Sequence, residues 1–290
     1  MRLLIIGASG LVGGNLYHKF LANKNHIIVG TYNHYKLPHL IPLDITQGKE
    51  VTRIISEFKP EAVLHPAAYA DVDGCEKNPQ LCQRINSVGV RNVIDSAKQN
   101  KAAFVFFSSD YVFDGKNGPY KEEDKTNPLS VYGRVKLEIE NYLKETHPNH
   151  LIIRTCGVFG QEVQGKNFVV RLIDKLKNGQ EVSVITDQQG SPTYVKSLTS
   201  AVSFLVENGY KGLYHVTGRT VLLRFEFARL IAEVFKLDQN LIKPITTDQI
   251  QQTAKRPMLG GLTVDKVQKI LPFRLLTARE GLEEMRREKS

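Results

Sequence analysis

Two side chains able to move protons, Tyr132 and Lys136, stand four residues apart in the run SVYGRVK. The run lies in a predicted helix, Val131–Glu145, and residues four apart on a helix share a face. A phenol with a pKa of about 10 exchanges protons poorly at neutral pH, and a neighbouring ammonium is expected to lower that pKa. The pair therefore predicts proton donation to a ketone that is being reduced by hydride. A surface pair on an ordinary helix is the alternative.

A hydroxyl group, Ser109, follows the apolar run Phe104–Ser108, which predicts a buried strand. Ligands of open α/β folds bind at the carboxyl ends of the strands, so Ser109 is a candidate donor to the substrate oxygen. Serines after a strand also serve ordinary turns.

A glycine-rich loop, residues 7–13 (GASGLVG), lies between a predicted strand and a predicted helix. Glycines in this context allow a tight turn and a close approach of backbone N–H groups to a pyrophosphate, which the helix N-terminus attracts. The loop predicts a dinucleotide site. Its candidate cofactor contacts are Gly7, Ser9, Gly10, Leu11, Val12 and Gly13.

The end of the second predicted strand bears on the choice between NADPH and NADH. An acidic residue there would bind the ribose 2′-hydroxyl of NAD, but this chain has Tyr32, Asn33, His34 and Lys36. These groups favour NADP(H), with NAD(H) possible, and Asn33 and His34 are the candidate contacts. Asp44 and Ile45 are predicted to border the adenine pocket.

Short apolar runs alternate with longer amphipathic segments and must position these groups. The pattern predicts an α/β fold with a Rossmann-type, doubly wound parallel sheet and a smaller C-terminal substrate-binding lobe. The predicted strands are Leu3–Ile6, Ile27–Thr31, Ala62–His65, Phe104–Ser108 and Leu151–Arg154. The predicted helices are Leu11–Ala22, Thr52–Phe58, Pro79–Gln99 and Val131–Glu145. Residues 1–155 and a return at about 193–217 form the predicted dinucleotide domain, and 156–192 with 218–290 form the lobe.

The composition argues against a disordered or a fibrous protein. Hydrophobic residues make up 41% and charged residues 24% of the 290 residues, which is typical of a globular chain. The net charge of +9 favours anionic partners. The basic residues are scattered, however, except for a short cluster at Arg286, Arg287 and Lys289, so we expect no nucleic-acid or membrane partner. Three cysteines without C-x-x-C spacing suggest a reducing cytoplasm, and no targeting segment is visible.

In sequence order these motifs resemble the dTDP-4-dehydrorhamnose reductase family of extended short-chain dehydrogenases. The resemblance also covers residues 67–73 (AAYADVD), 109–113 (SDYVF), 127–129 (NPL), 154–155 (RT), 187–193 (DQQGSPT) and 256–257 (RP). It implies reduction of the C4 ketone of a nucleotide-activated deoxysugar by NAD(P)H, with Ser109, Tyr132 and Lys136 as the catalytic set. It further implies cofactor contacts at Ala67, Ala68, Tyr69, Tyr132 and Lys136, and substrate contacts at Asp110, Asn167, Phe168, Pro192 and Arg256. Asn86 is either a proton relay or a structural residue.

Some residues depart from that family. Gly157 stands where a tryptophan is frequent, and His65-Pro66 precedes the alanine pair. Asn15 replaces an acidic residue found in some metal-bridged relatives, so we expect no dedicated metal site and a monomer or homodimer.

Tyr111 after Asp110 argues against a dehydratase. A sugar-nucleotide epimerase and a non-catalytic NADP-binding subunit, similar to methionine adenosyltransferase β, remain alternatives.

Overall fold

A computed structural model describes residues 1–250 and 252–288, so Lys289 of the predicted basic cluster lies outside the described residues. The strands are β1 Arg2–Ile5, β2 Ile27–Tyr32, β3 Ile41–Pro42, β4 Ala62–His65, β5 Ala103–Ser109, β6 His150–Thr155, β7 Val158–Phe159, β8 Val182–Ile185, β9 Gln189–Gly190, β10 Thr193–Tyr194, β11 Gly212–His215, β12 Leu222–Leu223 and β13 Ile242–Ile245. The helices are α1 Leu11–Leu21, α2 Gly48–Phe58, α3 Val72–Lys77, α4 Pro79–Gln83, α5 Val90–Gln99, α6 Val131–Thr146, α7 Phe168–Lys177, α8 Val195–Glu207, α9 Arg224–Phe235, α10 Asp265–Gln268 and α11 Ala278–Arg287. None of the described helices is long and apolar enough to cross a membrane.

The main sheet has seven parallel strands in the order β11-β6-β5-β4-β1-β2-β3. Successive residues of each strand point to opposite sides of the sheet, and buried residues lie on both sides. Leu3 and Ile5 belong to the apolar cluster that includes α1 and α8, whereas Leu4 and Ile6 belong to the cluster that includes α2 and α5. Helices cover both faces, and the predicted doubly wound α/β fold is confirmed.

The strand order reverses direction at β1, which lies between β4 and β2. Ligands of open α/β sheets bind at such a point, beyond the carboxyl ends of the strands. Here the loop after β1 carries the glycines 7–13, and the loop after β4 carries residues 66–69. The topology therefore places the two predicted cofactor segments side by side.

The predicted helix Pro79–Gln99 is confirmed in extent but is not regular. It consists of α4, a π-helical segment at Arg84–Gly89, and α5. Asn86, in the π-helical segment, has a buried side chain whose Oδ1 accepts from the Tyr69 N–H at 2.8 Å and whose Nδ2 donates to the Tyr69 carbonyl at 2.9 Å. Of the two roles considered for Asn86, the structure shows it satisfying backbone groups of the loop after β4.

A second apolar cluster lies outside the main sheet and joins α7, α9 and α11 to Phe159 and Tyr194. Its buried residues lie in the ranges 159–195 and 227–285. The stretch Val264–Leu275, which was predicted to belong to the lobe, instead packs its apolar side chains into the cluster on the main sheet with α1 and α8. Val267 on α10 and the following Leu271 and Leu275 share this cluster with residues of α1 and α8, and composition does not reveal contacts between segments so distant in the chain.

Two buried histidines predict a loss of stability in acid. Burial lowers the pKa of both His65 and His215 to about 3, well below 6.5. Because the unfolded chain binds these protons more readily, their contribution is complete above about pH 6.5 and is lost as the pH falls toward 3. We expect the free energy of unfolding at about pH 5 to be lower than at pH 7 by about 2 kcal/mol for each histidine.

Urea unfolding at the two pH values measures this difference. His65→Leu should remove the share of His65, whose ring nitrogens have no hydrogen-bond partner among the described residues, and the exposed His18→Gln should leave it unchanged. An undiminished difference in His65→Leu would show that His65 does not cause it.

Candidate functional site

A cavity of about 460 Å³ opens at the carboxyl ends of β5 and β6, with α7 and α9 contributing its far wall. Each parallel strand ends at the same edge of the sheet, so the residues that follow these strands converge there. The cavity is lined by predicted residues from six separate parts of the chain: Val12, Ala68, Ser109, Asp110, Tyr132, Lys136, Phe168 and Pro192.

The start of α6 fixes the position of Tyr132. Ser130 caps the helix, because its Oγ accepts from the Gly133 N–H at 3.2 Å, and Glu76 accepts from the Val131 N–H at 2.9 Å. A Cβ on Gly133 would lie 2.2 Å from the Tyr111 carbonyl oxygen, so only glycine lets the helix approach this closely. The Tyr132 ring then packs edge-on against the Tyr111 ring, with centroids 5.8 Å apart.

Lys136 lies one helical turn further on and is almost completely buried. Its ammonium donates to the Phe107 carbonyl at 2.8 Å and lies 5.6 Å from the centroid of the Tyr132 ring. The pair therefore shares one helix face, as the spacing predicted, and both side chains line the cavity.

Burial shifts the pKa of both groups. It lowers the pKa of Lys136 to about 8, against the opposing effects of Cys82, Glu140 and Cys75. The predicted lowering of the phenol pKa is wrong, because burial, followed by the charges of Tyr111 and Asp110, raises the pKa of Tyr132 instead. At neutral pH Tyr132 consequently carries its proton, which is the form that a proton donor needs.

Ser109 and Asp110 form the start of a single turn of 3-10 helix after β5. The Ser109 Oγ accepts from the Tyr111 N–H at 3.2 Å and donates to Asp110 Oδ1 at 3.0 Å. Burial raises the pKa of Asp110, and the Ser109 and Cys156 hydrogen bonds oppose this. The serine serves the turn in this structure, and it must redirect its proton from Asp110 to donate to a substrate oxygen.

The glycine-rich loop has the close contacts that a dinucleotide loop needs. Gly7 has a φ of +82°, which L side chains rarely adopt, and its N–H donates to Thr31 Oγ1 at 3.1 Å. A Cβ on Gly7 would lie 2.8 Å from the Ala67 Cβ, and one on Gly13 would lie 2.2 Å from the Gly7 oxygen. Gly10 is the residue directly before α1 and has no side chain, so the first N–H groups of that helix are not capped by a side chain.

The other predicted cofactor residues do not line the cavity. Asn33 and His34 are exposed after β2, whereas Ile45 is buried and its carbonyl accepts from the Asn92 side chain at 2.9 Å. Asp44 accepts from the Thr46 N–H at 2.9 Å. The remaining predicted contacts in this region are Ser9, whose carbonyl accepts from the Gln164 side chain at 2.9 Å, Leu11, which packs against the apolar cluster of the lobe, and Tyr69, whose backbone is held by Asn86.

Two predicted substrate residues are engaged elsewhere. Arg256 forms a bidentate pair with Asp73 at 2.8 and 3.0 Å, and Asn167 caps α7 by accepting from the Val170 N–H at 3.2 Å. Neither side chain lines the cavity. The sequence could not show this, since the Asp73 partner is 183 residues away in the chain.

Sequence reasoning missed Arg224, the first residue of α9. Its guanidinium lies 4.2 Å from the centroid of the Phe168 ring, in the wall of the cavity. Within the described ranges it has no hydrogen bond or ion pair through its side chain, and the charges of Arg171 and Arg256 are close enough to act on it. No motif marks this residue, because its place in the wall depends on how the lobe packs.

Two departures noted in the sequence also have clear positions. Gly157 lines the cavity with a φ of +52°, and a Cβ there would come no closer than 3.6 Å to Pro192, so the wall is open at this point. The Asn15 side chain donates to the Leu11 carbonyl within α1. No group of three or more His, Cys, Asp or Glu side chains in residues 1–250 and 252–288 is arranged to hold a metal ion.

A protein-family model and several known proteins resemble this chain over most of its length. The family model described as the RmlD substrate binding domain matches residues 1–290. The chain is 35% identical to a dTDP-4-dehydrorhamnose reductase of Aggregatibacter actinomycetemcomitans, over 92% of each chain. It is also 32% identical to methionine adenosyltransferase 2 subunit beta of Xenopus tropicalis, over 94% of this chain and 85% of that protein.

Among solved structures, a dTDP-4-dehydrorhamnose reductase of Bacillus anthracis in complex with NADP superposes with a TM-score of 0.91. The two chains are 32% identical, and 99% of each is covered. The resemblance read from the motifs is confirmed, and this chain belongs to the RmlD substrate binding domain family.

Proposed function

We propose that this chain is an NAD(P)H-dependent oxidoreductase that reduces the C4 ketone of a nucleotide-activated deoxysugar, with dTDP-4-dehydrorhamnose converted to dTDP-rhamnose. The observation that carries the proposal is that Tyr132, Lys136 and Ser109 all line a single cavity, which is large enough for a sugar. The reductase relatives from Aggregatibacter actinomycetemcomitans and Bacillus anthracis support the choice of substrate.

The chain's own residues fit a dinucleotide. The start of α1 has no side-chain cap, so the first backbone N–H groups of this helix can bind a pyrophosphate. The exposed Asn33 and His34 after β2 bring no carboxylate, which favours the 2′-phosphate of NADP(H). When bound, NAD(P)H supplies the hydride.

Three side chains then act on the ketone oxygen. Ser109 donates a hydrogen bond that stabilises negative charge on this oxygen. Tyr132, protonated because its pKa is raised, transfers its proton to the oxygen and becomes a phenolate. The Lys136 ammonium, 5.6 Å from the Tyr132 ring centroid, stabilises that phenolate by its charge until a proton from solvent restores it.

Arg224 is assigned to the diphosphate of the substrate, in place of Arg256. A guanidinium without a carboxylate partner in a cavity wall is suited to phosphate oxygens. We expect Arg224→Gln to raise the KM for the nucleotide sugar roughly 10- to 100-fold, because a hydrogen bond to a charged group contributes about 1.5–3 kcal/mol. The KM for NADPH should stay unchanged.

Steady-state kinetics with both substrates varied tests this assignment. Arg229→Gln is the matched control, since Arg229 is on the same helix, is exposed, and donates to Gln239 at 3.1 Å. Equal KM values for the nucleotide sugar in Arg224→Gln and wild type would remove Arg224 from the site.

The proposed function itself is tested by NADPH oxidation, followed by absorbance, with dTDP-4-dehydrorhamnose generated in place by the enzymes that form it. We expect rapid oxidation that depends on the sugar nucleotide. The similarity to methionine adenosyltransferase 2 subunit beta supports one other candidate, a non-catalytic NADP-binding subunit. NADPH binding without oxidation of NADPH by this or related sugar nucleotides would favour that candidate.

A further inference from the structure

A row of polar side chains crosses the core of the main sheet. Ser108, Arg154 and His215 occupy the same register on the adjacent strands β5, β6 and β11. All three are buried, a costly arrangement unless their polar groups are bonded. Arg154 Nη1 donates to His215 Nε2 at 3.4 Å, and the backbone N–H of His215 donates to Glu122 Oε1 at 2.8 Å.

Glu140 on α6 is the acceptor for this row, and its side chain is completely buried. Glu140 Oε1 accepts from Ser108 Oγ at 2.6 Å and from Arg154 Nε at 2.9 Å, and Oε2 accepts from Arg154 Nη2 at 2.6 Å. The Lys144 ammonium lies 3.8 Å away. A bidentate guanidinium and a hydroxyl together hold this carboxylate in one orientation.

The same carboxylate lies one turn from the catalytic lysine. Residues 136 and 140 share a helix face, and their partners are successive residues of β5, namely the Phe107 carbonyl for Lys136 and the Ser108 hydroxyl for Glu140. Two turns of α6 are thereby attached to the strand end that leads into Ser109. Rotation or sliding of α6 on this strand would break both attachments.

We propose that Glu140 is a positioning residue for the reduction, holding Tyr132 and Lys136 at a fixed distance from Ser109 through its bonds to Ser108 and Arg154. This inference rests on the proposed function. Glu140 does not line the cavity, so it acts through the helix and not on the substrate. A misplacement of about 1 Å at reacting groups can lower a rate about 100-fold, so a rigid attachment here matters for turnover.

Glu140 also places a negative charge beside a buried ammonium. Burial lowers the pKa of Lys136, and Cys82, Glu140 and Cys75 oppose that shift. The titratable groups that face Lys136 are Cys75 on α3, Cys82 on α4, His65 on β4, and Tyr132 and Glu140 on α6. Removing the Glu140 charge must lower the Lys136 pKa further, so turnover that needs the ammonium is lost at a lower pH.

The test compares Glu140→Gln with the matched control Glu138→Gln on the same helix. Glu138 is only partly buried and accepts from Ser87, Gln83 and Arg91, away from the strand end. We expect Glu140→Gln to lower kcat roughly 10- to 100-fold, to change the KM for the nucleotide sugar less than about threefold, and to shift the high-pH decline of kcat to lower pH. The control should match wild type in all three.

Several results would overturn the inference. Glu140→Gln with the kcat and pH profile of wild type would do so, as would a uniform loss of kcat at every pH, which indicates a merely structural role. If circular dichroism shows that Glu140→Gln does not fold, Ser108→Ala removes one hydrogen bond and keeps the ion pair with Arg154, and an unchanged kcat in that variant would equally refute the inference. Absence of turnover in wild type would refute the proposed function and, with it, this role.

Discussion

Tyr132→Phe is expected to lower kcat roughly 100- to 10,000-fold, the range that a positioned proton donor contributes. The substitution removes a single hydroxyl group and keeps the ring, so the edge-on contact with Tyr111 and the place of Lys136 beside the ring are retained. The Kd for NADPH should therefore stay within about twofold of wild type, which corresponds to less than about 1 kcal/mol of binding free energy.

Turnover and NADPH affinity are measured on the same preparations, by absorbance and by fluorescence titration. Tyr142→Phe is the control, because Tyr142 lies on the same helix but donates to Asp95 at 2.6 Å, away from the cavity. If Tyr132→Phe kept more than about a tenth of wild-type turnover, the phenol would not be the proton donor.

Lys136→Ala is expected to lower both turnover and NADPH affinity. The ammonium is buried, donates to the Phe107 carbonyl and is the cation beside the phenol, so its removal takes away the charge that stabilises the phenolate. Lys136 is also an expected contact of the cofactor. A lost hydrogen bond from its ammonium to NADPH costs about 1.5–3 kcal/mol, which corresponds to a Kd for NADPH roughly 10- to 100-fold higher. We expect kcat to fall by at least about 100-fold.

Calorimetric titration with NADPH and initial rates at saturating NADPH separate the two effects. Arg134→Ala serves as the control, since Arg134 is an exposed cation two residues earlier on the same helix. Unchanged NADPH affinity in Lys136→Ala would mean that this lysine does not bind the cofactor.

The parts of this site that were predictable are those set by local pattern. The apolar run that ends at Ser109 had to be a buried strand, and the spacing of Tyr132 and Lys136 had to place both on one helix face. The glycine loop was equally recognisable, because its turn requires the positive φ of Gly7. Each of these depends on fewer than about twenty neighbouring residues.

The parts that were not predictable depend on contacts between distant segments. Arg256 pairs with Asp73, a residue far away in the chain, and the packing of α9 brings Arg224 against the Phe168 ring, where we propose that it binds the diphosphate. The raised pKa of Tyr132 is likewise a consequence of burial, which the spacing of two residues cannot reveal. Glu140 carries no motif either, and only the alignment of neighbouring strands shows its partners.

The most direct test of the account is transfer of deuterium from NADPH, labelled at its transferable C4 position, to the proposed 4-keto sugar nucleotide. Mass spectrometry should show a product one mass unit heavier than the product formed with unlabelled NADPH, with the deuterium at C4 of the sugar. Tyr132→Phe should form almost none of this product. Recovery of unchanged sugar nucleotide, from wild-type protein that demonstrably binds NADPH, would contradict the assignment of this chain as a reductase.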